Sequence, residues 1–183
     1  MLDETSRVTL EAFADTIVPG NRRSPQDLAV ADMSPTGGAV AAGAVDLLEW
    51  DATGLTDGLD DYARSLNGHA HVHADRCGLL VDEKVPAFVG LPFEERTALV
   101  RVLTAPGHPE KALWVLLALF CYMAYDSAAH LHTADAVAAG HPGLTAMGLA
   151  RPDADGLLRF SAWSYGRPLA RPRPDTTPSG SPA

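Results

Sequence analysis

The sequence is poor in the residues and patterns that usually announce a site. Only two cysteines, Cys77 and Cys121, occur in 183 residues, and neither lies in a CxxC or CxxCH pattern. Zinc ribbons, thioredoxin-type motifs and covalent haem attachment are thereby excluded, and the chain could close at most one disulfide. Lysine is nearly absent, Lys84 and Lys111 being the two, and 14 Lys+Arg against 23 Asp+Glu leave a formal charge of −9. A field of that sign repels phosphate backbones and anionic lipid, and no basic cluster offsets it, so neither nucleic acid nor a membrane is an expected partner. Long apolar runs are also missing. The most apolar stretch, Leu113 to Tyr125, has 13 residues, whereas a helix crossing a bilayer needs roughly 20; it reads as a buried core helix. The opening Met1-Leu2-Asp3-Glu4 is acidic and lacks the charged and apolar regions of an export signal, so the expected location is the cytoplasm, with reduced thiols. Neither GxGxxG nor GxxxxGK[ST] occurs, and no serine sits in GxSxG. The chain is therefore expected to hold no cofactor of its own and to lack a hydrolase elbow.

What is present is helical. Hydrophobic residues make up 46% of the chain, enough for one core, and no alternating β-rich run interrupts them. Val8, Leu10, Phe13, Ala14, Ile17 and Val18 recur at helical spacing and predict a first helix over 2–18, stopped by Pro19-Gly20. Three prolines and three glycines between residues 19 and 38 argue for a loop, after which 39–50 reads as a second helix. Leu59, Tyr62, Ala63, Leu66, Ala70, His73 and Cys77 form one stripe of a third helix over 56–80. Pro92 with Glu94 and Glu95 marks the start of a fourth, which ends near Pro106-Gly107. A fifth is expected over 109–132, and a short one over 133–139. The expected fold is all-α, five to six helices in an irregular bundle, with residues 1–143 as the helical domain. Residues 144–170 read as an irregular aromatic segment. Residues 171–183 hold four prolines and almost no apolar side chains, and read as a flexible, extended arm.

Histidine spacing is the local hint of chemistry. His69 and His73, at i and i+4, share a helix face and could reach one metal, although no third ligand is evident and ordinary surface histidines would look the same. Tyr122, Asp126 and His130 recur at i, i+4 and i+8, and Tyr125 lies beside them. A carboxylate one turn from an imidazole fixes its tautomer and raises its basicity, which acid/base catalysis needs. The structural alternative is that Asp126 accepts a local hydrogen bond while His130 meets the helix dipole. Near the end of the chain Trp163, Tyr165 and Arg167 gather residue types that carry binding energy at interfaces, or that fold back on the chain's own core.

Several segments together resemble the gluconate 2-dehydrogenase subunit 3 family. They are Ala14-Asp15-Thr16-Ile17-Val18-Pro19-Gly20, Gly38-Ala39-Val40-Ala41-Ala42-Gly43-Ala44-Val45-Asp46, Phe93-Glu94-Glu95-Arg96 and Gly140-His141-Pro142-Gly143, within residues 8 to 143. The resemblance implies a small helical accessory subunit that wraps a large glucose-methanol-choline type flavoprotein and assists its folding, cofactor loading or export. FAD and the catalytic residues would belong to that partner. On this resemblance Asp15, Thr16, Pro19 and Gly20 would shape a contact loop, and the 140–143 turn with Trp163, Tyr165 and Arg167 would clasp the large subunit. Members usually carry a twin-arginine export signal and often a tyrosine where His141 stands; both differences shift the expectation to a cytoplasmic role, including natural-product tailoring. The alternative function is a small stand-alone tailoring enzyme using Asp126 and His130 as an acid–base pair on an apolar or aromatic substrate, with Tyr122 or Tyr125 assisting.

Overall fold

The computed structural model describes residues 2–149. Trp163, Tyr165 and Arg167, the aromatic segment beyond residue 149 and the proline-rich arm lie outside the described residues. Within them the fold is all-α: eight α-helices and no strand. They are α1 (Glu4–Ile17), α2 (Ala44–Leu48), α3 (Leu59–Cys77), α4 (Ala87–Gly90), α5 (Phe93–Leu103), α6 (Lys111–Ser127), α7 (Thr133–Ala138) and α8 (Pro142–Ala146). Four are long, and the other four are one or two turns each. The compact helical unit continues through α8 to Leu149.

The first helix is the axle. Asp3 caps it by accepting the Ser6 N–H at 2.7 Å, and α1 then packs against α2, α3, α4, α5 and α6. Its Phe13 lies 6.4 Å from Phe88 and 6.2 Å from Trp114, ring centre to ring centre, with all three rings fully buried. These tilted aromatic contacts join α1, α4 and α6 at the centre of the core. A chain of satisfied polar groups runs beside them. Asn67 of α3 donates to Thr9 of α1 at 3.0 Å and accepts the Phe88 N–H of α4 at 3.0 Å, fixing the three helices in register.

Where helices stop earlier than periodicity predicts, a local backbone conformation is responsible. Gly43 takes φ +82° and splits the expected 39–50 helix into turns followed by α2. Gly78, at φ +66°, ends α3 at Cys77, and the buried stripe runs through Ala74, leaving Cys77 exposed. Ala128 adopts φ +49° and ends α6 at Ser127, short of the expected His132. The apolar run in α6 is not wholly core: Trp114, Leu117, Cys121 and Ala124 are buried, while Val115, Leu116, Leu119 and Tyr122 are 38–51% exposed.

Candidate functional site

A cleft of about 480 Å³ opens between α2 and the turn that joins α6 to α7 and α8, with Ala42, Gly43, Asp46, His130 and His141 among its walls. Its shape follows from the absence of a side chain at Gly43. A Cβ there would lie 2.5 Å from His130 Nε2, so the imidazole rests on bare backbone. His130 Nδ1 is buried without a hydrogen-bond partner. Burial pushes the His130 pKa down; the charge of Asp46 opposes this and that of His141 adds to it. The net direction is down, which favours a neutral ring.

His141, another wall of this cleft, is buried, 6% exposed. Its Nδ1 accepts the Leu144 N–H at 3.4 Å and caps α8, and its Nε2 lies 3.2 Å from the Ala42 carbonyl. These two contacts make the ring a tether between α8 and the turn before α2. Gly143, next to it, allows α8 to sit against α6: a Cβ there would stand 1.8 Å from the Tyr125 carbonyl oxygen.

The expected pairing of Asp126 with His130 is not formed. The left-handed turn at Ala128 takes His130 off the face of α6, and Asp126 Oδ1, like His130 Nδ1, is buried without a hydrogen-bond partner. Tyr122 is 51% exposed on α6, Tyr125 is half-buried, and neither they nor Asp126 line the cleft. The carboxylate whose charge acts on His130 is Asp46, from α2. Sequence spacing could not supply it, because 84 residues separate the two.

The expected contact loop is turned inward. Asp15 is 1% exposed and accepts the Gly20 N–H at 3.0 Å and the Ala31 N–H at 2.8 Å. Burial raises its pKa, against the lowering effect of those two hydrogen bonds and of the Arg96 charge. Gly20 is buried against Gly38, whose backbone nitrogen would lie 2.4 Å from a Gly20 Cβ, and Ala39 N–H donates to the Val18 carbonyl at 2.9 Å. Pro19 is half-buried beside them. The Asp15-to-Gly20 motif therefore closes the 19–43 loop onto α1, and its Asp15 and Gly20 are buried away from a partner, while His141 is exposed only slightly, as a wall of the cleft.

His69 and His73 do share one side of α3, but each faces a carboxylate from another helix region. His69 Nε2 lies 2.6 Å from Glu110 Oε2, and His73 Nε2 lies 2.7 Å from Glu95 Oε2. Trp114 Nε1 also donates to Glu110 at 3.2 Å; the His69 hydrogen bond lowers the Glu110 pKa most, burial opposes it, and the Trp114 bond adds to the lowering, so that the carboxyl stays below its ordinary value. Among the described residues no helix is long and apolar enough to cross a membrane.

The sequence matches a family of unknown function, DUF5987, over residues 4–183. The chain belongs to that family. The match takes in the whole described bundle, from α1 through α8, and so includes the cleft, the buried Asp15 loop and the α3 histidines. No curated protein and no solved structure matches the chain.

Proposed function

We propose that the protein is a non-catalytic accessory subunit that docks on a flavin-dependent oxidoreductase of the glucose-methanol-choline type and assists its maturation, with natural-product tailoring as the setting. FAD belongs to the partner flavoprotein. The observation that supports this is the outer face of α6. Val115, Leu116, Leu119 and Tyr122 follow one another at helical spacing and are 42%, 38%, 50% and 51% exposed, opposite the buried stripe of the same helix. A helix apolar on all sides is ordinarily enclosed, and a contiguous apolar surface with an aromatic at one end is what a protein interface uses.

Co-expression with a glucose-methanol-choline flavoprotein encoded beside it tests the proposal. The two chains should co-purify, and the soluble, FAD-loaded yield of the large subunit should rise. Leu116→Glu with Leu119→Glu should abolish both effects at unchanged helix content. Absence of co-purification together with unchanged FAD loading would overturn the reading.

A second reading, a small stand-alone enzyme, draws on the unpartnered Nδ1 of His130 in the cleft. There a neutral imidazole would take a proton from an apolar or aromatic substrate, with Asp46 rather than Asp126 steadying the imidazolium. Turnover that survives His130→Ala retires it.

A further inference from the structure

We propose that His73, Cys77 and Glu95 form a binding site for a single divalent, borderline-soft metal ion of the Zn²⁺ class, bridging α3 and α5. His73 and Cys77 stand at i and i+4 on α3, so they project from the same face one turn apart. Glu95 reaches them from the first turn of α5. One ligand atom from each of the three lies within 4.8 Å of the others; His73 Nε2 is 2.7 Å from Glu95 Oε2 and 3.8 Å from Cys77 Sγ.

These separations are close to those a tetrahedral ion imposes. Bonds of about 2.0 Å to nitrogen and oxygen and about 2.3 Å to sulfur place the N and O ligands about 3.3 Å apart and the N and S ligands about 3.5 Å apart. The imidazole and carboxylate need to part by roughly half an ångström, and the thiolate to draw in slightly, motions within the reach of side-chain torsions. The burial gradient also suits a three-ligand site with one open position. The His73 side chain is 16% exposed and that of Glu95 33%, while Cys77 lies at the surface. Water would complete the coordination from that side.

The donor set selects the ion. A thiolate is a poor ligand for Mg²⁺ or Ca²⁺, and an imidazole, a thiolate and a carboxylate together suit Zn²⁺ or Co²⁺. Charge closes as well: one thiolate and one carboxylate neutralise a dication. Binding forms one bond each from the ion to Nε2, Sγ and Oε2. The Cys77 thiol proton leaves to solvent, and the Nε2 proton now directed at Glu95 either leaves or gives way to the Nδ1–H tautomer. One turn earlier on α3, His69 and Glu110 make the same kind of pair, but 2.6 Å apart and with Trp114 as their third neighbour. That pair has no thiol and serves as an internal control.

The test uses full-length protein freed of any affinity tag, stripped with a chelator and kept reduced. Zn²⁺ is titrated in competition with a chromophoric chelator, and Co²⁺ is titrated separately. One equivalent should bind, and Co²⁺ should give a thiolate-to-metal charge-transfer band in the near ultraviolet. Loss of groups that merely support a ligand costs about 10- to 100-fold in affinity, so Cys77→Ser should remove the band and weaken Zn²⁺ by about 100-fold or more. Glu95→Gln should weaken it in the same direction, and His69→Ala should leave stoichiometry and band unchanged. Cys121 is fully buried, with its thiol pushed up to about 12, and does not compete. Cys77 is exposed, so its serine variant keeps the test interpretable even where a histidine variant fails to fold. Wild-type protein without the cobalt band, or Zn²⁺ affinity equal in wild type and Cys77→Ser, would overturn the proposal.

Discussion

Arg96 is the side chain on which the loop packing most depends. It is 4% exposed and, among the described residues, has no carboxylate within ion-pair distance. Its Nε donates to the Leu91 carbonyl at 3.0 Å, Nη1 to Ala29 at 2.7 Å, and Nη2 to Leu28 at 3.3 Å and to Val89. One guanidinium thus ties the 19–43 loop to the C-terminal end of α4, and the fork geometry that does so is not available to an ammonium. Burial lowers its pKa; the Asp15 charge opposes this without cancelling it, and Arg22 adds to it. An unsatisfied buried acceptor costs about 1–3 kcal/mol. Arg96→Met should therefore reduce stability in urea unfolding by about 3 kcal/mol or more, with Arg96→Lys recovering little of it; a loss below about 1 kcal/mol would show the carbonyls to be otherwise paired. His130 makes a prediction of a different kind. Its folded pKa is below the ordinary 6.5, chiefly through burial, with Asp46 opposing and His141 reinforcing. The unfolded chain then binds the proton more readily than the folded one, so the His130 contribution is complete above 6.5 and is lost as pH falls through the lowered folded value. Between about pH 8 and about pH 5 the wild type should lose more stability than His130→Gln. Parallel pH profiles for the two would mean that the ring is solvated in the folded state.

At the scale of elements, α8 shows how short helices depend on one residue. It has five residues, and with α7 it packs around Ala128, Ala136 and Leu144, a cluster separate from the main core. Gly143 lies directly against the Tyr125 carbonyl of α6, with no room for a Cβ. Gly143→Ala should push α8 away at a cost of about 1–3 kcal/mol, and amide exchange should quicken in α7 and α8 while α1 and α3 keep their protection. Wild-type exchange in α8 would show that the contact is slack. The long helices were legible in the sequence because their apolar stripes are long: Leu10, Phe13 and Ala14 in α1, and Leu59, Ala63, Leu66 and Ala70 in α3, are all buried as the spacing predicts. Their ends were less so. A glycine at φ +82° in Gly43 signals a break in retrospect, but Ala128 at φ +49° carries no such mark, because alanine does not ordinarily take that conformation. That one turn is also why the Asp126–His130 spacing, sound for a continuous helix, did not translate into a pair. The i, i+4 relation of His69 and His73 was readable. Their partners Glu110 and Glu95 come from elsewhere in the chain, and no local pattern encodes them.

At the scale of the molecule, two properties pull in opposite directions. A charge of −9 keeps copies of the chain apart, while the outer face of α6 offers them an apolar stripe in Val115, Leu116, Leu119 and Tyr122. Those side chains take no part in the core, so replacing them should cost the fold little. Glutamate keeps good helix propensity, and exposed substitutions away from special features usually change stability by no more than about 0.5 kcal/mol each. The double variant Leu116→Glu, Leu119→Glu should therefore unfold at nearly the wild-type urea midpoint. Solution behaviour should separate the two proteins where stability does not. As pH falls toward the isoelectric value of 5.1, the repulsion fades and the α6 stripe should drive the wild type into concentration-dependent association, visible by sedimentation. The variant, with two added carboxylates on that stripe, should remain monomeric to lower pH. Loss of more than about 2 kcal/mol in the variant would assign the stripe to the fold rather than to a partner. Unchanged stability with identical sedimentation of both proteins would instead show that the stripe does not hold two copies of this chain together.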